Sequence, residues 1–201
     1  LDAVAVSDHN AIGNVRTAME VGKAYGVTVV PAMELQTQED VHVLCLFADY
    51  EGLEGFYQSI SFVQMENNPE IFGNQLVLDE DDNVVEIEKR MLLVGARIAV
   101  ENVPSLAKRF GGVAVAAHVD RSENGMVEIL GDVIPEYDIV EFSVAASEQI
   151  RQRYSAKFSL TDSDAHTLDA IGKAGGKMNV EQNTPQGILD AIVGNKSTGK
   201  I

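Results

Sequence analysis

The sequence predicts an α/β protein built from parallel βα units, and two observations support this fold class. Short apolar runs alternate with amphipathic stretches along the 201 residues, which is the pattern of strands joined by crossover helices. Residues that can bind metal ions follow several of these runs, as they do at the reactive rim of βα barrels. With 45% apolar content, residues 1–201 most simply form a single soluble domain.

The first part of the chain predicts a strand, a helix and two consecutive strands. Apolar runs and one helical stripe place these elements at residues 3–7, 15–25, 27–35 and 41–47. Only five polar residues separate the last two strands, and a link that short cannot cross over to a parallel neighbour. These two strands should therefore pair as a hairpin, which brings Glu34 and His42 to the same end of the sheet.

The rest of the chain continues the alternation after one interruption. Helices are predicted at residues 51–66, 90–110 and 184–193, and strands at residues 113–117, 139–143 and 158–161. Residues 67–88 interrupt this rhythm and predict an inserted β-hairpin with strands at 75–78 and 84–87. The acidic run Asp79-Glu80-Asp81-Asp82-Asn83 between these strands is typical of a solvated turn, because it lacks the spacing and glycine of a calcium loop.

All four histidines stand near a carboxylate, at strand edges or in the loops that follow strands. With two acidic residues at the same predicted rim they form a candidate ligand set: His9, Glu34, His42, His118, Asp164 and His166. A lone histidine after a strand is more often structural, but six ligand-type residues at one rim favour a metal centre. Imidazole and carboxylate together suit zinc, manganese or iron, and neighbouring ions of this kind hydrolyse phosphate esters.

The composition of the chain limits the kinds of ligand that the protein is expected to bind and the cellular compartment in which it is expected to lie. The net charge of −16 disfavours general nucleic-acid binding, whereas a small phosphate ester is compatible, because bound divalent ions would reverse the potential inside the site. No stretch approaches the roughly 18 consecutive apolar residues of a membrane span. The single cysteine, Cys45, lies in an apolar run and suggests a buried core residue in a reducing, cytoplasmic setting.

Several short stretches resemble successive motifs of the PHP family (polymerase and histidinol phosphatase). They keep the family's order and cover nearly the whole chain, at residues 5–10, 31–34, 41–44, 116–121 and 163–166. The resemblance implies a distorted seven-stranded, TIM-like βα barrel that holds two or three divalent ions for phosphoester hydrolysis.

The resemblance also implies a role for each candidate ligand. Glu34 corresponds to the carboxylate that bridges two ions, and Asp164 to a ligand of the first ion. His42 and His118 correspond to ligands of the second ion, and His9 and His166 to ligands of the third. Glu34 and Asp164 are thereby expected to take part in catalysis.

Arg121 is the candidate for holding the substrate phosphate. It lies three residues after His118, and a guanidinium group matches the geometry of a phosphate. The alternative is a salt bridge from Arg121 to Asp120 or Glu123.

The beginning of the chain departs from the family pattern. The first motif of the family, two histidines separated by one residue, has no counterpart here, and Leu1 leads almost directly into a strand. We expect the first βα unit to lie upstream of Leu1, and we expect this chain alone to be weakly active or inactive.

The function predicted from the sequence is metal-dependent hydrolysis of a small phosphate ester. Two alternatives come from the same family, an exonuclease that acts on oligonucleotides and a non-catalytic metal-binding domain. A third alternative is an amidohydrolase, but these enzymes commonly use a modified lysine where this chain has Glu34. The sequence leaves the substrate, the metal and the oligomeric state open.

Overall fold

The computed structural model describes residues 1–173 and 176–195. Among these residues, six strands form one curled, half-barrel sheet, and two more strands form a separate hairpin. The strands are Ala3–Val6 (β1), Thr28–Gln36 (β2), His42–Phe47 (β3), Gln75–Leu78 (β4), Val84–Glu88 (β5), Gly112–Ala116 (β6), Ile139–Phe142 (β7) and Phe158–Thr161 (β8). The helices are Val15–Tyr25 (α1), Tyr50–Gln58 (α2), Pro69–Phe72 (α3), Val103–Arg109 (α4), Met126–Leu130 (α5), Glu148–Arg153 (α6) and Pro185–Asn195 (α7). The single domain expected over residues 1–201 includes residues 174–175 and 196–201, which lie outside the described ones.

The strand order in the large sheet is β1-β2-β3-β6-β7-β8. The pairs β1–β2, β6–β7 and β7–β8 are parallel, whereas β3 runs antiparallel to both of its neighbours. The predicted hairpin of β2 and β3 is confirmed, with Gln36 opposite His42. Because only β3 is reversed, one edge of the sheet collects the carboxyl ends of five strands and the amino end of β3.

Alternation along the strands separates two apolar clusters on opposite faces of the sheet. One cluster contains Met33, Cys45 and Phe47, and the helices α2 and α4 add Phe56 and Ala107 to it. On the other face, the strand residues that share a face with Glu34 pack against Leu189 and Ile192 of α7; they include Val30, Ala32, Leu44, Leu46, Val115 and Ala117. The helix α7 therefore covers the apolar residues on the face of the sheet on which Glu34 stands.

The strands β1 and β8 lie at the two ends of the described sheet. A cavity of about 630 Å³ has residues of both strands in its wall, together with Glu34 and Asp164. The structure thus shows a half-barrel, and the closed seven-stranded barrel stays a prediction. None of the described helices has the length and apolar character needed to cross a membrane.

Two predicted helices are shorter than the sequence indicated. The helix predicted at residues 51–66 ends at Gln58, and residues 90–99 of the helix predicted at 90–110 are not helical. The two non-helical segments pair through their backbones: Met91 N donates to Met65 O (2.7 Å), Arg97 N to Ser61 O (2.8 Å) and Asn67 N to Lys89 O (2.7 Å). These hydrogen bonds pair backbone N–H and C=O groups that a helix would otherwise pair. Apolar side chains such as Met91 can therefore be buried although the segment is not helical.

The hairpin β4–β5 is present at the predicted positions and contacts the amino end of α1. Asn14 Nδ2 donates to Leu76 O (3.1 Å), and Asn14 Oδ1 accepts from Leu78 N (3.0 Å). Asp79 at the tip accepts hydrogen bonds from the backbone of Asp81 and Asn83, as expected of a solvated turn. A two-stranded hairpin is marginal by itself, so this contact with α1 helps to hold it in place.

Three short helices were not predicted: α3, α5 and α6. Each has only four to six residues, which is too short for a periodic apolar stripe to show in the sequence.

Candidate metal centre

Strand register brings the candidate ligands of the first four strands of the sheet together. An isolated parallel bridge between His9 and Glu34 extends the β1–β2 ladder beyond Val6. His42 is the first residue of β3, and His118 follows the end of β6, the other neighbour of β3. These four side chains therefore meet at one edge of the sheet because of how the strands pair.

Three donor atoms form a nearly equilateral triangle at the centre of this cluster. His42 Nδ1 lies 3.2 Å from Glu34 Oε1, and His118 Nε2 lies 3.2 Å from the same oxygen. The two imidazole nitrogens are also 3.2 Å apart. We call the set of Glu34, His42, His118 and His9 the histidine–glutamate cluster.

This spacing fits one divalent ion. A tetrahedral ion bound at about 2.0 Å separates its ligand atoms by about 3.3 Å, close to the edges of the observed triangle. His118 Nδ1 is buried and has no hydrogen-bond partner, so one imidazole proton cannot satisfy both sides of this ring. The three atoms of the triangle each point a lone pair of electrons toward the same place. They repel one another unless a proton or a cation lies between them. The donor set and its spacing therefore suit a zinc, manganese or iron ion.

His9 approaches the same carboxylate from the other side. Its Nδ1 lies 3.6 Å from Glu34 Oε2, and this buried nitrogen has no hydrogen-bond partner among the described residues. The ligand atoms of His9, Glu34 and His42 all lie within 4.8 Å of one another. Glu34 thus presents one oxygen to His42 and His118, and the other oxygen to His9.

Burial and hydrogen bonding shift two pKa values in this cluster. Burial alone would raise the pKa of Glu34, but the hydrogen bonds with His118 and His42 hold it well below its ordinary value. Burial lowers the pKa of His9, and the nearby Glu34 opposes this shift only in part. An ionised Glu34 and a neutral His9 are the protonation states in which both residues bind metal ions.

The remaining two candidate ligands, Asp164 and His166, lie in the loop after β8. Asp164 Oδ2 forms a short ion pair with Arg121 Nη1, and Asp164 Oδ1 lies 3.7 Å from His166 Nδ1. His166 is 67% exposed, and its ring centroid is 6.3 Å from that of His9. This loop therefore lies beside the cluster without joining its triangle.

Arg121 and Asp120 have partners other than those considered in the sequence. The Arg121 guanidinium contacts Asp164, not Asp120 or Glu123, the partners of the salt bridge that the sequence left open. Asp120 accepts hydrogen bonds from the backbone N (2.7 Å) and the hydroxyl (2.5 Å) of Ser143. The Arg121 side chain is 39% exposed, and its partner Asp164 lines the cavity that contains Glu34.

The backbone is strained at two of the candidate ligands. His118 has φ 27° and Asp164 has φ 39°, in the left-handed region that non-glycine residues avoid. The residue after His9, Asn10, has φ 48°. Strained residues of this kind concentrate at functional sites, where the surrounding structure holds a side chain in a required position.

The structure adds two carboxylates that sequence reasoning did not include, Glu141 on β7 and Asp162 after β8. Both line the 630 Å³ cavity with Glu34 and Asp164. Burial raises the pKa of Glu141 well above its ordinary value, and the charges of Asp162, Glu34 and Asp164 add to this shift. Burial also raises the pKa of Asp162. A glutamate within the apolar strand at 139–143 was the signal available in the sequence, because strand interiors rarely contain an unpaired acid.

The chain is similar in fold to several solved structures, but its sequence matches no known family. The sequence matches no family model and no curated protein. The lesion-specific endonuclease PfuEndoQ from Pyrococcus furiosus superposes with a TM-score of 0.63 at 16% identity, over 96% of this chain and 48% of that one. A complex of Endonuclease Q with a 27-mer duplex that has an abasic lesion at the active site gives 0.64 at 17% identity, with the same coverage.

A second similar protein is closer to this chain in length. A Bifidobacterium adolescentis protein, described as a candidate metal-dependent phosphoesterase, superposes with a TM-score of 0.55 at 17% identity. The match covers 100% of this chain and 87% of that one, whereas the chain spans about half the length of the endonucleases. At these identities the likeness concerns the fold, and the fold is consistent with a PHP-like arrangement.

Proposed function

We propose that this protein is a metal-dependent phosphoesterase that hydrolyses a small phosphate ester. The observation that supports it most directly is the 3.2 Å triangle of Glu34 Oε1, His42 Nδ1 and His118 Nε2. The likeness in fold to a candidate metal-dependent phosphoesterase supports the same reaction class. The motif resemblance favours membership of the PHP family, with a seven-stranded barrel as its complete form.

The residues that would hold the ions follow from the donor geometry. Glu34, His42 and His118 would hold one ion, and the second oxygen of Glu34 with His9 would hold another. Asp164 and His166 would complete the set from the loop after β8. Bound divalent ions would polarise the phosphoryl oxygens and lower the pKa of a bound water.

The chain's own side chains would orient the substrate. Arg121 stands beside Asp164 and offers a charged, forked donor to two phosphoryl oxygens. A bound cation next to Glu34 would favour the ionised carboxylate, so Glu34 would stay a ligand throughout the reaction. Asp164, the ion-pair partner of Arg121, lines the larger cavity together with Glu34, so Arg121 would bind a phosphate next to the proposed ions.

A substrate panel tests this proposal. The full-length protein is assayed with manganese or zinc, and with a chelator, against nucleoside monophosphates, histidinol phosphate and aryl phosphates. We expect phosphate release that requires the metal and that His118→Ala removes, whereas exchange of the exposed Glu20 for glutamine should leave it unchanged. Absence of hydrolysis in the metal-loaded wild type would favour the alternative of a non-catalytic metal-binding domain.

An endonuclease is the second candidate, and the likeness in fold to Endonuclease Q favours it. The net charge of −16 opposes it, because phosphate-backbone binding depends on Lys and Arg. A duplex oligonucleotide with an abasic site distinguishes the two candidates when it is included in the same panel. Metal-dependent cleavage of that duplex, with no release of phosphate from small esters, would replace our first proposal with the second. Short single strands test the exonuclease alternative.

A further inference from the structure

A second, smaller cavity opens beside the histidine–glutamate cluster. Its volume is about 280 Å³, and Asp8 and His9 line both this cavity and the larger one that contains Glu34 and Asp164. The two cavities therefore meet at the first candidate ligand after β1. We call the smaller one the hairpin cavity, because its wall includes Phe72 of α3, Leu76 and Val77 of β4, and Leu93.

The two amide side chains in the wall of the hairpin cavity, Asn14 and Gln75, are already engaged within the protein. Asn14 donates to Asp8 Oδ2 (2.9 Å) and to Leu76 O, and it accepts from Leu78 N, so both of its backbone partners in the hairpin lie on β4. Gln75 Nε2 donates to Glu88 O (2.9 Å) and to Arg90 O (2.7 Å), and its Oε1 accepts from Leu92 N (3.0 Å). These amides have little left to offer the hydroxyl groups of a sugar or a polyol.

What the cavity presents instead is apolar surface. Phe72, Leu76 and Leu93 line it and are between 39% and 56% exposed, unusually high for large apolar side chains grouped around one opening. An apolar group placed there would cover these side chains and remove their surface from water. A cavity of about 150 Å³ already holds a benzene ring, so the hairpin cavity has room for one substituted ring.

The hairpin cavity is fixed in position relative to His9. Asn10, the next residue, is fully buried, and its Nδ2 donates to Leu92 O (2.8 Å) and Val94 O (3.2 Å). Arg90 Nη2 donates to Asn10 O (2.7 Å) from the same segment. The wall of the cavity and the first candidate ligand therefore move as one unit, as a specificity pocket requires.

We infer that the hairpin cavity binds the alcohol portion of the substrate, and that this portion is a flat, apolar ring group on a phosphate monoester. The inference rests on the proposed function, because it places the phosphoryl group at the histidine–glutamate cluster. The alcohol portion then extends into the larger cavity, whose wall includes the carboxylates of Glu141 and Asp162, or into the hairpin cavity. The exposed apolar side chains of the hairpin cavity favour it as the place for an apolar ring.

Two pairs of compounds test this inference. Benzyl phosphate and glycerol phosphate are both esters of primary alcohols, so their leaving groups are similar in reactivity, and they are compared by kcat/KM. Benzylphosphonate and methylphosphonate, which cannot be hydrolysed, are compared by calorimetric binding to the metal-loaded protein. The variants are Phe72→Ser and Leu93→Ser, whose side chains are about half exposed, so that folding is preserved. The matched control is Ile71→Ser, because Ile71 is the exposed neighbour of Phe72 and does not line the cavity.

We expect the benzyl compounds to be preferred by about tenfold or more, and each cavity variant to remove most of this preference while Ile71→Ser keeps it. Equal kcat/KM values with equal phosphonate affinities would overturn the inference and leave the proposed function intact. If these two esters and every ester of the substrate panel resist hydrolysis, the proposed function fails, and the phosphonate binding comparison then decides about the cavity. A benzylphosphonate preference that Phe72→Ser and Ile71→Ser reduce equally would also overturn the inference.

Discussion

The two halves of the candidate site differ in how the chain holds their ligands. In the half formed by β1, β2, β3 and β6, His42 and His118 are 11% and 4% exposed, and their nitrogens lie 3.2 Å from one carboxylate oxygen. In the half formed by the loop after β8, His166 is 67% exposed and Asp164 is paired with Arg121. Strand register therefore fixes the first half, whereas the second half is held by a partly buried ion pair between two loop residues.

This difference shows why one half can be organised in advance and the other can respond to a ligand. Backbone ladders position side chains within tenths of an ångström, because neighbouring strands share a fixed register. A loop at the end of a strand has fewer such constraints, because no backbone ladder sets the position of its side chains. We expect the first half to determine metal affinity and the second to determine substrate affinity.

The largest expected effect comes from Glu34, which contacts all three histidines of the first half. Glu34→Gln preserves the shape of the side chain but removes the charge that holds two cations together. We expect kcat for phosphate release to fall by about 100-fold or more, because the residue acts on bound ions and water at once. Steady-state kinetics with manganese measures this, with Glu20→Gln on α1 as the exposed control. Activity within a few-fold of wild type would show that Glu34 is not a ligand.

A comparison of two histidines tests the difference between the halves directly. We expect His118→Ala to weaken metal binding by about 100-fold, and His166→Ala by about tenfold or less, since His166 lies outside the triangle. Calorimetric titration with zinc or manganese gives both affinities, and metal content after dialysis gives an independent measure. Equal losses in the two variants would remove the distinction between the halves.

Arg121 belongs to the half that we expect to bind substrate. Arg121→Ala should raise KM by about tenfold and leave kcat within a few-fold, because a phosphate clamp acts mainly on ground-state binding. Arg121→Lys keeps the charge but loses the forked geometry, so it should recover only part of the affinity. An altered kcat with an unchanged KM for Arg121→Ala would contradict this role.

The smallest expected effect concerns stability and comes from Glu141, which lies between the two halves. Its pKa is raised in the folded protein, so the unfolded chain loses this proton first, and folding stability falls as pH rises above the ordinary value of about 4.3. The Glu141→Gln variant has no ionisable group at this position, so its folding stability should not fall with rising pH for this reason. In metal-free protein the variant should be more stable than wild type at pH 7.5, by about 1 kcal/mol or more, and the gain should shrink toward pH 4.5.

Urea unfolding with a chelator present measures the Glu141 effect at both pH values. The exposed Glu136→Gln is the control, and it should show no comparable dependence on pH. A Glu141→Gln variant that is less stable than wild type at pH 7.5 would mean that Glu141 is held by a favourable partner when it is ionised.

The antiparallel pairing of β2 and β3 next to the site was predictable from the sequence. The five-residue link between residues 35 and 41 required an antiparallel hairpin, and the structure places Gln36 opposite His42 as that hairpin demands. The positions of β4, α1 and β8 also agree with the apolar periodicity. Apolar spacing contains this information because it records which side of each element is buried.

The apolar periodicity of the sequence does not show which hydrogen-bond partner each backbone group has, or which side chain pairs with each charge. Residues 90–99 have enough apolar side chains for a helix, but two of their backbone N–H groups donate to the carbonyl oxygens of Gln36 and Ser61. Two of their carbonyl oxygens accept from the side chain of Asn10. The same limit applies to Arg121, whose distant partner is Asp164, and to Glu141, which reaches the site only because β7 lies between β6 and β8.

The sequence by itself therefore determined which residue types gather at the carboxyl edge of the sheet, since that follows from short links and local apolar patterns. Only the tertiary structure decided that Glu34, His42 and His118 meet at 3.2 Å, and that an apolar cavity opens next to His9. The physical reason is that distances between side chains depend on strand register and curvature, which arise from contacts between residues far apart in the chain.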